Sequence, residues 1–156
     1  MGKSLIGHSL WEFIKNEETV HIYRTLIHRI RNENRNVIYP FRCDSPSRRR
    51  FMEMHILPHK GKSLEFRSRI IREEHRPFQR FLDIDEPRND SFIVMCGWCK
   101  AVATKDGWAQ IEEAVDILKL FEMQILPEIS HGICKECHDK WLQELEPQEA
   151  KDSNKA

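Results

Sequence analysis

No charge of one sign prevails in this chain: 25 Lys and Arg stand against 25 Asp and Glu over 156 residues. A nucleic-acid binder usually carries a clear basic excess, so the global balance argues against that role. Long apolar runs are missing as well. None approaches the roughly 20 residues that a membrane-spanning helix needs. The opening stretch, MGKSLIGHSLWEFIKNEE, lacks the uninterrupted apolar centre and the small-residue cleavage site of a signal peptide. Met1-Gly2 begins a myristoylation motif, but Ile6 stands where that motif needs Ser or Thr. The expected location is cytoplasmic. Glycine is scarce, with six scattered residues, which excludes a phosphate-binding glycine loop. No Ser-His-Asp order and no HExxH appears, and the eight histidines do not cluster at ligand spacing. The expected protein is not an enzyme.

What is present is a highly charged chain, 32% Asp, Glu, Lys and Arg, with 40% hydrophobic residues, enough for a modest core. Composition shifts at DIDEPRNDS, residues 83–91, whose acids, Pro and Asn read as a linker. This divides the chain into 1–82, with one cysteine, and 92–146, with the other four. The end, 147–156, is polar and reads as a disordered tail.

In the first segment, EETVHIYRTLIHRIRNEN places Val20, Tyr23, Leu26, Ile27 and Ile30 at helical spacing, with Asn16 or Thr19 as the cap. Three strand-like runs follow: NVIYPFRC, RRFMEMHIL and SLEFRSRII. DSPSR and PHKGK separate them and supply turn residues. Met52, Met54 and Ile56 share one face of the second run; Leu64, Phe66, Ser68 and Ile70 share one face of the third. The pattern predicts an antiparallel meander with a helix laid on it.

The cysteines carry the chemistry. Cys96 and Cys99 form one CxxC, Cys134 and Cys137 another, with 34 residues between the pairs. Two residues between ligands let one tight turn aim both sulfurs at one ion, and two such turns complete a tetrahedral zinc shell. Such pairs in a reducing compartment point to metal or redox chemistry more than to structural disulfides. The spacer exceeds the usual one of about 15–20 residues because it has contents of its own. KAVATKDGWAQ reads as a hairpin, and Ile111, Ala114, Val115, Leu118 and Phe121 form a helical stripe that ends before Pro127. The second pair opens a further helix, KECHDKWLQEL, with Trp141, Leu142 and Leu145 on its apolar side. Thiol redox chemistry is a second reading, since MCGWCK looks like a dithiol after a strand. Haem attachment is a third, because CKECH is a literal CxxCH, although attachment normally needs an exported chain. In the metal reading, zinc and iron both suit four thiolates.

The order of the first segment resembles the later part of a PAS domain. GHSLWEFI looks like the lead into its long helix, the helix matches, and the meander matches the last three strands. The resemblance implies two further strands, for which too few residues precede Trp11. The expectation is a half-domain whose open sheet edge a protein partner covers, or a second copy in a homodimer; a start placed too late in a complete domain is the alternative. A cysteine turn, a hairpin and a helix opening at the second pair resemble a treble-clef zinc module with an inserted helix. CGWCKAV, LPEISHGICKEC and YPFRCDSPSRRRFMEM together resemble cysteine modules attached to bacterial PAS-type signalling proteins, many of them uncharacterised. That resemblance implies a signalling context and supplies no activity.

Other residues have narrower readings. His131 is read as an imidazole that hydrogen-bonds a ligand sulfur, or one that orders a loop. Trp98, between two ligands, is read as covering the metal site or as a plain hydrophobic contact. Cys43 has no sequence partner and reads as a strand-end residue or a reactive thiol beside Arg42. Between residues 42 and 72 stand nine Lys or Arg and three acids. Arg48, Arg49, Arg50, Arg67 and Arg69 can line a surface for phosphate or an acidic partner, or form a solvated face paired with acids. The fold class expected is α+β: a helix with a three-stranded PAS-like meander, then a small zinc module. The expected role is a non-catalytic signalling or regulatory adaptor, with a thiol-based redox sensor and a nucleic-acid-binding regulator as alternatives.

Overall fold

The computed structural model describes residues 4–145. It is a mixed α/β structure with three helices and two sheets. The tail 147–156 lies outside the described residues. Among these residues, no helix is long and apolar enough to cross a membrane.

The first helix, α1, runs Glu17–Glu33. Asn16 starts it: its Oδ1 accepts from the Thr19 amide at 2.9 Å and from the Thr19 hydroxyl at 3.0 Å. Glu17 and Glu18 sit favourably in its first turn, where the helix dipole is positive. Asn34 ends it in the left-handed region, at φ 51°. Ile22, Leu26, Ile27 and Ile30 are buried along one face, while Val20 and Tyr23 are half-buried. Ile22 therefore outranks Val20 in the apolar stripe.

Strands β1 (Val37–Arg42), β2 (Arg48–Pro58) and β3 (Leu64–His75) form an antiparallel sheet in that order. Ile56 and Tyr39 are buried in the core that includes the buried face of α1, and Met54 and Leu64 pack against it. The register slips near Phe51 and Met52: Phe51 faces Arg72, Met52 faces Ile70, and Ile71 is left over. This bulge lets β3 continue past the expected end of the run.

The second sheet contains β4 (Arg88–Cys96), β5 (Val102–Thr104), β6 (Gly107–Ala109) and β7 (Leu126–Gly132), ordered β6-β5-β4-β7. The stretch 83–91 is not a bare connection, since β4 begins at Arg88. The Arg88 guanidinium fixes it by donating to the carbonyls of Phe81 and Asp83, both at 2.8 Å, and of Pro127 at 3.1 Å. The β5–β6 hairpin turns at Lys105-Asp106, and Gly107 takes φ 122° just after the turn. Helix α2 spans Ile111–Ile117, shorter than the stripe predicted. Lys119 adopts a left-handed conformation, and Leu120, rather than Phe121, turns inward; Phe121 is exposed. Strand β7 was hidden in the sequence by this helix and by Pro127. It pairs with β4 in parallel. Helix α3 spans Lys135–Leu145 and opens between the second pair of cysteines.

Two buried clusters result. One joins α1, β1 and β2 to Cys96, Trp98, Ile133, Cys134, Cys137 and Trp141. The other gathers Phe81, Met95, Val102, Ile111, Leu120, Leu126 and their neighbours around α2. Both cross the expected boundary near residue 83: the first by α1 and the cysteines, the second by Phe81.

Candidate metal centre

Strand β4 delivers Cys96, fully buried, to the start of a tight turn. The Cys96 amide donates to the Ala101 carbonyl at 2.7 Å, and the Lys100 amide donates back to the Cys96 carbonyl at 3.1 Å. Lys100 takes φ 64°, which lets the chain reverse within four residues. Gly97 donates to the Gly132 carbonyl at 2.9 Å, tying this turn to the end of β7. A Cβ on Gly132 would stand 3.0 Å from the Val94 side chain, so the close approach of β7 to β4 favours glycine there. Cys134 follows two residues later. The first turn of α3 closes on it: the His138 amide donates to its carbonyl at 2.9 Å, and the Cys137 amide to its Sγ at 3.4 Å.

The four sulfurs of Cys96, Cys99, Cys134 and Cys137 all lie within 4.8 Å of one another. Cys99 and Cys134, from different pairs, are 3.6 Å apart. A Zn–S bond of about 2.3 Å implies tetrahedral edges of about 3.8 Å, so the cluster has the dimensions of such a shell. Three of the cysteines are buried and Cys99 is half-buried. The cluster can hold a metal ion, and its thiolate donors suit zinc or iron.

Hydrogen bonds from Cys137 and Cys99 hold the Cys96 thiol far below its usual range. Cys99 is pushed up to about 11: its bond to Cys137 lowers it, but Cys96 and burial outweigh that. Cys137 is raised by its bonds to Cys96 and Cys99. Four like charges in so small a space repel, so protons remain on some sulfurs until a cation replaces them.

Trp98 points from the first cysteine turn into the core. Its ring stacks on Tyr23 at 6.0 Å and meets Trp141 edge-on at 6.0 Å. Tyr39 in turn meets Trp141 at 4.8 Å. The turn is also bound to β1: the Arg42 amide donates to the Trp98 carbonyl at 2.7 Å, and the Arg42 guanidinium to the Cys99 carbonyl at 3.1 Å. The cysteine cluster and the packing of α1 against α3 are thus mechanically joined.

His131 stands on β7 opposite Met95, and no hydrogen bond to a sulfur is formed there among the described residues. His131 is exposed at the surface, yet partial desolvation against its neighbours, then the nearby Lys100 charge, lower its basicity. Cys43 is exposed and lies outside the sulfur cluster. His138 is half-buried, with Asp139 at 3.5 Å.

The arginine face is neutralised within the chain. Arg48 and Arg50 both reach Glu73, Arg49 reaches Glu74 and Glu112, Arg67 reaches Glu65, and Arg69 reaches Glu53. Most of these acids come from the same sheet, and only Glu112 comes from a helix, α2. An ion network that no sequence pattern marks lies beneath. The side chains of Asp44 and Arg76 are 1% and 0% exposed and meet at 2.7 Å. Asp44 also accepts from Arg42, which donates onward to Gln110 at 2.7 Å. Arg76 Nη2 lies 2.7 Å from Glu112 Oε1, without hydrogen-bond alignment. Burial works against ionisation of Glu112, but hydrogen bonding to Arg49 and the Arg76 charge keep its carboxyl below the usual range. Hydrophobic periodicity, the main sequence signal, does not register isolated charges brought together from a turn, a strand end and a helix.

No family model, curated protein or solved structure matches this chain.

Proposed function

We propose that this protein is a non-catalytic signalling or regulatory adaptor whose four-cysteine centre holds a structural zinc ion. The observation that carries the reading is the convergence of Cys96, Cys99, Cys134 and Cys137, within 4.8 Å, inside the core shared by both halves of the chain. Four thiolates fill a tetrahedral shell and leave no open position for water or substrate, so the metal serves architecture rather than catalysis. A CxxC turn after β4, the β5–β6 hairpin and the α3 start at the second pair support a treble-clef-like description, with α2 and β7 inserted. The helix α1 laid on a three-stranded meander supports a PAS-like one. Reduced thiols fit a cytoplasmic setting.

The partner in this reading is a protein, and a second copy is the simplest. Among the described residues, strand β3 has a free edge, and Phe66, Ile70 and Ile71 on it are exposed by 42%, 55% and 55%. Strand pairing would cover that edge. Light scattering of the purified chain and of Ile70→Lys tests this: a dimer that becomes a monomer is expected, and a wild-type monomer overturns the dimer.

The metal reading is tested by metal content per chain after purification under reducing conditions. About one zinc per chain, lost in Cys96→Ser/Cys134→Ser, is expected. Folded, metal-free protein with titratable thiols would replace it by thiol redox sensing. One contact favours that second reading: the 3.6 Å approach of Cys99 and Cys134 needs only a modest closure to form a disulfide between the two pairs. Reversible metal loss on mild oxidation distinguishes a sensor from a purely structural site. A nucleic-acid-binding role draws no support from arginines that already face carboxylates.

A further inference from the structure

A groove of about 490 Å³ runs between α1, the inner face of the β1–β3 sheet and the first cysteine turn. That volume falls in the range of small-molecule sites. Its floor is apolar and aromatic, with Tyr39, Phe41, Met54 and Trp98, and Leu10 and Phe13 stand at its mouth. Asn16, Thr19 and His131 add neutral polar groups, but its charged side chains are of one sign. Lys15, Arg42 and Lys100 line it, and no Asp or Glu does so among the described residues. Arg42 is engaged by Asp44. Among the described residues, Lys15 and Lys100 form no ion pair, and the Lys100 ammonium donates to the Gly97 carbonyl at 2.9 Å. The Tyr23 and Tyr39 hydroxyls also line the groove and bond to each other at 3.0 Å. That bond uses one of their two hydroxyl hydrogens, and no other acceptor for these hydroxyls occurs among the described residues. The groove thus offers an apolar bed, unpaired cations and a spare donor, and lacks an anionic acceptor of its own.

We propose that this groove binds a small organic carboxylate with an apolar body, its head held by Lys100 and Lys15 and its body against Phe41, Met54 and Phe66. Charge complementarity selects the acid over a neutral molecule of the same shape, because a charge-assisted hydrogen bond to a carboxylate is stronger than one to a hydroxyl. The inference rests on the groove and not on what the four cysteines hold. Four of its walls, Gly97, Trp98, Lys100 and Gly132, nevertheless belong to the segments that the cysteines fix, so bound ligand and ordered cysteine turns favour each other.

Calorimetric titration of the full chain with octanoate and with phenylbutyrate, alongside the matching alcohols, tests this, with metal content measured on each sample. Saturable binding of at least one acid at one per chain is expected, with the alcohol weaker by at least about tenfold and the acid weakened by about tenfold in Lys100→Gln. Phe66→Glu, at an exposed position, brings a carboxylate to the groove and abolishes binding while the protein stays folded. Absence of saturable binding by both acids, equal binding of acid and alcohol, or undiminished binding in folded Lys100→Gln or Phe66→Glu overturns the proposal. Metal content separates the two conclusions: a metal-free chain that still binds the acid removes the zinc reading and leaves this one in place.

Discussion

The core beneath α1 contains three buried cysteines, two tryptophans and a tyrosine; the core around α2 contains alanine, valine, isoleucine and leucine with one phenylalanine and one methionine. The second is closed by apolar burial alone. The first surrounds four sulfurs that would repel one another if all were ionised, a repulsion that retained protons or a bound cation relieves. The connectivity differs too. The α2 core draws on residues 81–126, while the cysteine core joins α1 near one end of the chain to α3 near the other. One fold therefore contains a core of apolar side chains and a core built around a possible metal site, joined through Arg42, Asp44, Arg76 and Glu112.

Metal removal should break this contrast most strongly. Structural zinc contributes on the order of 10 kcal/mol to small domains that depend on it. Chelation is expected to unlock Trp98 and Trp141, changing near-ultraviolet dichroism and lowering the melting midpoint, while amide protection in β4 and α2 persists longer. An unchanged melt after verified metal removal would contradict a ligand-dependent core.

Next in size is the buried ion network. Asp44→Ala leaves Arg76 and Arg42 without their shared carboxylate and should cost about 3–5 kcal/mol in denaturant unfolding. It should also weaken the junction between the two cores. A loss no larger than that of a surface substitution would show that water reaches this site.

Paired truncations sharpen the comparison. Ile56 and Ile111 are both fully buried, one in each core. Either change to Ala should cost about 2–5 kcal/mol. Only Ile56→Ala is expected to lower metal affinity as well, as measured by competition with a chelator. Equal effects on metal affinity would mean that the two cores act as one cooperative unit.

The acid limb gives a smaller effect. The folded-state pKa of Glu112 lies below its ordinary value, so its contribution is present above the ordinary carboxylate range and is lost as pH falls through the folded value. Glu112→Gln should flatten the stability profile on that limb and leave it little changed near neutrality. Smallest of all is Arg67→Gln. Its partner Glu65 is at the surface, and no measurable shift of the melting midpoint is expected.

Part of this was legible before the structure. The helical spacing of Leu26, Ile27 and Ile30, with Asn16 ahead of them, encodes α1 within a few residues of chain. The same holds for α3 and for the alternation in β2 and β3. The CxxC pairs announced a possible metal site because cysteines two residues apart are a local feature. Strand β7 was not legible. LPEISHG contains a proline and only moderate alternation, and its partner β4 lies more than 30 residues away. Phe81, which by position falls in the first segment 1–82, packs in the other core, and its neighbour Arg80 donates to the carbonyls of Met123 and Gln124 at 2.8 and 2.7 Å.

By itself, then, the sequence determined the elements whose signals are short-ranged: caps, apolar periodicity, turn residues and ligand spacing. Tertiary structure alone decided that the two cysteine pairs meet at one point, that 83–91 leads into a central strand, and that the arginine face is spent on its own carboxylates. The reason is physical. A helix or turn is stabilised by groups within about four residues. Parallel pairing, core membership and ion pairing depend on which distant surfaces fit, and no local pattern records that choice.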